Sequence, residues 1–210
     1  MDVHPPHSPI HSIKEFLIHL LAITIGLLIA LGLETTAEWF HHRHLVRDAR
    51  VNLVQEMSDN RHVIERHLSV AAAETARLNQ MLEALDAVEA GKPLPTLGEF
   101  NWSVPLLADS SWGAAQSTGA TSYMSYAEAK RYAQVYTEQA LYATAVDRYI
   151  EGRRQIFADL AHIQGSSRLS REDYEAARRN VFSNLVSLAM LHEVDRELDT
   201  TYIRLMPGSN

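Results

Sequence analysis

The sequence predicts an all-α protein, an N-terminal transmembrane helix continuing into an elongated antiparallel three-helix bundle, with a short extra helix in one long loop. Three observations lead there. Phe16 to Leu33 is a run of eighteen residues without formal charge, interrupted clearly only by His19 and Thr24, which is the length that crosses a bilayer core as a helix. Prolines fall only in the first residues (Pro5, Pro6, Pro9), in one loop (Pro93, Pro95, Pro105) and at Pro207, leaving the stretches between them free to be helical. Those stretches repeat apolar residues at alternating spacings of three and four, and no segment reads as a strand.

Taken in order, residues 1–12 form a His- and Pro-rich tail expected to be disordered. Ser12 with Glu15 makes a capping box that starts the first helix, whose membrane-spanning and interfacial part covers 13–40. No glycine follows Gly32 until Gly91, so the helix is expected to continue through 41–90 and stop where Gly91 supplies a left-handed cap and Pro93 forbids continuation. Val46, Ala49, Leu53, Met57, Ile64, Leu68, Ala71, Leu78, Leu82 and Leu85 form its apolar stripe. Asn60, Glu74 and Thr75 interrupt it, which points to packing against later helices and away from a strict two-stranded coiled coil.

The loop 91–122 is long for a connector and carries Trp102 and Trp112, with a short helix expected over 110–117 opened by Asp109 or Ser110. The second long helix, 125–164, begins at the capping box Ser125 and Glu128 and ends near Gly165. Its stripe reads Tyr132, Tyr136, Ala143, Val146, Ile150, Phe157 and Leu160, with Tyr126, Tyr142 and Tyr149 adding aromatic area. The third, 171–206, is capped by Ser170 with Asp173 and carries Ala177, Val181, Leu185, Leu188, Leu191, Leu198, Tyr202 and Leu205 on its apolar side. Residues 41–206 together have room for one helical domain.

Composition narrows the function. A net charge of -7 over 210 residues, with bases scattered among more numerous acids, offers a phosphate backbone no basic stripe, so nucleic acid is not an expected partner. The absence of cysteine removes disulfides, thiolate catalysis, iron-sulfur clusters and cysteine zinc sites. Nothing resembles a serine nucleophile context, a phosphate-binding glycine loop or paired catalytic carboxylates, so the chain is expected not to be an enzyme, and no cofactor is required by its sequence.

The candidate sites cluster at the anchor. Ala22, Gly26 and Ala30 repeat every four residues and let another helix approach, with His19 on about the same face; the structural alternative is that small residues are simply common in membrane helices. Past the span, Glu34 and Glu38 are one turn apart and precede His41, His42 and His44, a set that could hold a metal or, in a symmetric oligomer, attract cations. A solvated, pH-responsive interfacial cluster is the plainer reading of the same residues. A complete metal site would need a second set from another helix, and the only similar group is His192 with Glu193 and Asp195. Trp102 and Trp112 either plug the end of the bundle or line a ligand pocket.

The stretch KEFLIHLLAITIGLLIALGLE followed by EWFHHRHLVRDARVNLVQEM, covering residues 14–57, resembles a loose group of uncharacterised bacterial single-pass membrane proteins. The resemblance implies a retained anchor in a bacterial inner membrane and tilts the C-terminal domain toward the periplasm, whereas Arg43, Arg47 and Arg50 after the span favour the cytoplasm. The longer run and the lack of an A-x-A site also speak for an uncleaved anchor. The expected function is a non-enzymatic, membrane-anchored accessory or oligomerising subunit of a larger membrane assembly, with lipid, further copies of itself or other membrane helices as partners. A ligand-sensing extracytoplasmic bundle and a cation site at the membrane exit are the alternatives.

Overall fold

The computed structural model describes residues 13–92, 104–166 and 169–205. The tail, Ser12, Pro93, Pro95 and Trp102 lie outside the described residues. The chain is all-helical, with α1 (Ile13–Glu89), α2 (Ser110–Ser117), a 3-10 turn at Ala120–Tyr123, α3 (Tyr126–Gly165) and α4 (Arg171–Leu205), and no strand among the described residues.

It divides into two compact units, the first ending at Asp48 and the second beginning at Ala49. In the first unit, α1 contains an apolar window long enough to cross a membrane, none of which is buried among the described residues. Its polar side chains turn back onto their own helix: Thr24, Thr35 and Thr36 donate to the carbonyls of Leu20, Leu31 and Gly32 at 2.8, 2.8 and 2.7 Å. His19 does the same, its Nδ1 donating to the Glu15 carbonyl at 2.8 Å. Such bonds satisfy polar groups without a partner helix or water.

In the second unit, α1 from Ala49 onward, α3 and α4 bury their apolar faces together. Leu53, Met57, Ile64, Met81 and Leu85 of α1, Val135 and Val146 of α3, and Leu188, Leu191 and Leu198 of α4 are all almost completely buried. The α3 stripe is rotated slightly from its expected phase, so that Tyr142 and Tyr149 are buried while Ala143 is exposed.

Cross-helix bonds fix the directions. Arg61 meets Asp199, His67 meets Asp195 and Arg178 meets Asp86 and Glu89, so α4 runs antiparallel to α1. Asn180 bonds Asp159 and Asn184 bonds the Tyr149 carbonyl, so α4 also opposes α3. By contrast, Arg50 pairs with Glu128, Glu56 with Tyr136 and Glu74 with Arg153, rungs that ascend together. In the antiparallel three-helix bundle expected from sequence, one point is therefore corrected: the consecutive long helices α1 and α3 run parallel, and α4 opposes both. The reason is visible in the long connection. Although α1 ends at Glu89, Ala108 already sits on Asn60, exchanging bonds of 2.7 and 2.8 Å with its side chain. The chain has returned along some 30 residues of helix, on the order of 40 Å, before α3 starts.

The caps are local and follow the sequence. Gly91, at φ +80, closes α1 through Lys92 N–H to Ala87 O and Gly91 N–H to Val88 O, at 3.0 and 2.9 Å. Ser125 Oγ accepts from the Glu128 N–H, and the Ser170 N–H donates to Asp173 while the Asp173 N–H donates back to Ser170. At α2 the expected cap fails, since Asp109 makes no side-chain cap bond. A carboxylate from α1 takes its place. Glu56 Oε2 accepts from the Ser111 N–H at 2.8 Å and from Ser110 Oγ at 2.9 Å, putting negative charge at the positive end of a helix.

Candidate functional site

On α1 the polar residues Asn60, His67 and Glu74 stand seven apart, which lays them along one line of the buried face. All three are at least nine-tenths buried, as are Arg153 and Gln139 of α3 and Asn184, His192 and Asp195 of α4. Two of the residues that break the apolar stripe thus belong to the core. His67, which stands out in no motif, lies at their centre; the seven-residue spacing of polar residues was the signal that could have found it.

His67 Nδ1 donates to Asp195 Oδ2 at 2.7 Å, and its Nε2 faces Glu74 Oε2 at 3.6 Å. Glu74 Oε1 lies 3.4 Å from the Arg153 guanidinium, which also donates to the Tyr149 hydroxyl and covers the Tyr149 ring at 5.2 Å from its centroid. The imidazole of His192 is tilted against that of His67, with ring centroids 5.3 Å apart. The set therefore gathers α1, α3 and α4 around one imidazole.

Burial alone would lower the His67 pKa, but the bond to Asp195 and the facing Glu74, with the negative charge of both, outweigh it and raise it to about 9. Burial would likewise raise Glu74, yet His67 and Arg153 hold its carboxyl below the usual range. His192 is pushed down by burial and then by the neighbouring His67 charge, so at neutral pH the pair is one imidazolium beside one neutral imidazole. Burial and the Glu74 charge push the Tyr149 phenol up to about 12, and burial with Asp195 pushes Tyr142 up as well.

The cluster still leaves polar atoms over. His192 Nε2 and Asp195 Oδ1 are buried without a hydrogen-bond partner, and His67 Nε2 and Glu74 Oε2 meet only each other, at the longer distance of an ion pair. One ligand atom from each of His67, His192 and Asp195 lies within 4.8 Å of the others, and among the described residues no other histidine and carboxylate group converges in this way.

A second polar centre lies nearer the start of α3. Besides capping α2, Glu56 accepts from the Tyr136 hydroxyl at 2.7 Å, and these bonds overcome burial to keep its pKa low. Trp112 stacks on Tyr136 with centroids 5.2 Å apart. Beside it opens a cleft of about 480 Å³, lined by Leu106, Trp112, Gln116, Ala140 and Tyr142 among others.

The residues singled out by sequence fall apart in space. Ala22, Gly26 and Ala30 are exposed on α1, and a methyl group added at Gly26 would meet nothing within 4 Å. Glu34, Glu38, His41 and His44 are exposed and His42 is half-buried, all on one helix. His192 and Asp195 do join a histidine of α1, and that histidine is His67. No family model matches the chain, and neither does any curated protein or solved structure.

Proposed function

We propose that the chain is a non-enzymatic, single-pass membrane protein whose three-helix bundle, from Ala49 onward, acts as an accessory or oligomerising subunit of a larger assembly in a bacterial inner membrane. The observation that carries this reading is the apolar window of α1, long enough to cross a membrane and not buried among the described residues. A helix of that hydropathy is stable only against lipid or other apolar helices. The line Ala22, Gly26 and Ala30 with His19 is the face on which a second helix would approach most closely. Native mass measurement of the detergent-solubilised protein, with identification of copurifying chains, tests it. Complexes or defined oligomers support the reading, and a strict monomer with no partner overturns it. Protease accessibility in spheroplasts reports sidedness, where digestion of the bundle supports the periplasmic placement.

A second reading, a ligand-sensing bundle, is favoured by the cleft beside Trp112. Binding of a hydrophobic fluorescent dye that Ala140→Trp abolishes supports it, and equal binding by both proteins removes it.

A further inference from the structure

We propose that His67, His192 and Asp195, with Glu74 beside them, form a closed site for one divalent transition-metal ion of the zinc, iron or manganese class, which ties α1 to α4.

The donor set is the first argument. Two imidazoles and a carboxylate make a nitrogen and oxygen site of the kind those ions favour, and the chain offers no thiolate to compete for softer metals. The spacing is the second. His192 and Asp195 stand three apart on α4, which puts both on one face of the helix, and His67 and Glu74 stand seven apart on the line of α1 that faces them. The ligand atoms of His67, His192 and Asp195 are already within 4.8 Å of one another. Around a single ion at about 2.1 Å, neighbouring ligands lie about 3 to 3.5 Å apart, so the set closes by side-chain movements of about 1 Å.

The third argument is what the protein leaves unmade. Buried polar atoms are ordinarily paired, because an unpaired one forfeits its hydration without return. Here His192 Nε2 and Asp195 Oδ1 are buried with no hydrogen-bond partner, and His67 Nε2 and Glu74 Oε2, also without one, face each other at 3.6 Å. An unpaired imidazole nitrogen and an unpaired carboxylate oxygen are atoms a cation would use. Their surroundings also have the form of a supporting shell. With the ion between His67 Nδ1 and Asp195, in place of the proton they now share, the His67 Nε2–H would face Glu74 Oε2, 3.6 Å away, and Arg153 holds the far oxygen of Glu74.

The ion would take the place of the proton that His67 otherwise carries, so loading releases that proton and strengthens as pH rises. Because the ligands are closed off from solvent, the ion's role is structural. It would cross-link residues 128 positions apart in sequence and raise the stability of the helical domain.

The test uses the full chain in detergent, stripped with a chelator and titrated with Co²⁺ and then Zn²⁺. The expected result is one ion per chain, a Co²⁺ visible spectrum of low coordination number, and a rise in Tm on loading. Asp195→Asn and His192→Gln should weaken binding about 100-fold while helicity by circular dichroism is kept. The triple substitution of His41, His42 and His44 by Ala should bind as the wild type does. If either core variant fails to fold, the wild type still decides the matter, since bound Co²⁺ must shift the resonances of two buried histidines. An unchanged Tm, no spectrum, or binding that disappears only in the triple variant would overturn the site.

Discussion

His67 makes the stability of the metal-free protein depend on pH in a direction opposite to ordinary acid denaturation. Its folded pKa, about 9, stands above the ordinary value of 6.5, because Asp195 and Glu74 flank it in the core. A group whose pKa is raised by folding binds its proton more tightly in the folded chain, so its contribution is complete below about pH 6.5 and is lost as pH climbs through about 9. At 1.36 kcal/mol per pH unit, the displacement corresponds to about 3 kcal/mol, or about 6–12 °C in Tm for a chain of this size. The side chain has no solvent exposure, so screening takes little from this figure. Two neighbours act on the acid side. His192, held below its ordinary value, makes folding harder once the unfolded chain protonates it, and Glu74, also held low, stabilises above about pH 4.5 and ceases to do so in acid. Stability should therefore peak near neutrality and fall toward pH 9. The assay is thermal unfolding followed by circular dichroism on the chelator-treated full chain in detergent between pH 6 and 10, beside His67→Gln. The variant should lose about 3–5 kcal/mol at pH 7, because two buried carboxylates lose their shared cation, and its Tm should vary little between pH 7 and 9. Parallel curves for the two proteins over that range would refute the assignment of the effect to His67.

Three further perturbations probe the rest of the core. Glu56→Gln should cost about 1–3 kcal/mol and speed amide exchange at Ser111, since one carboxylate serves Ser110, Ser111 and Tyr136; because its pKa is held low, the same contribution in the wild type should vanish as the solution is acidified below about pH 4.5. Gly152→Ala should destabilise by about 1–3 kcal/mol in thermal unfolding although alanine favours helices, because its Cβ would stand 2.5 Å from Asn184 Nδ2, and Asn184→Ala should relieve much of that clash. Arg50→Ala should cost less than about 1 kcal/mol by the same measurement, despite bonds of 2.6 and 2.7 Å to Glu128, because the arginine is half exposed.

The difference between what the sequence disclosed and what it withheld is one of range. The caps at Ser125 and Ser170 and the stop at Gly91 depend on residues within one turn of one another, and local pattern reveals them, whereas the start of α2 is held by Glu56, more than 50 residues away. Asn60 and Glu74 read as interruptions because their partners, Ala108 and Arg153, lie 48 and 79 residues away. The conspicuous histidines at 41–44 gather on one helix, whereas His67 draws its meaning from Asp195, 128 residues distant. The parallel course of α1 and α3 was hidden for the same reason: a capping box marks where a helix starts and says nothing about which end of its neighbour it meets.

These long-range partners also explain why one alignment of the helices is selected. The buried faces repeat every seven residues, as in Val135, Tyr142, Tyr149 and Ile156, so apolar contacts alone tolerate sliding by a heptad. Sliding α3 by seven residues would bring Val146 or Leu160 to the place of Arg153 and leave Glu74 facing an apolar side chain. Sliding α4 would put Leu188 or Tyr202 where Asp195 now meets His67. Each slip strands a buried charge, at a cost of several kcal/mol. The polar layers thus define the register that the hydrophobic repeat leaves open, and the same residues that set the register form the cluster in which a metal would bind.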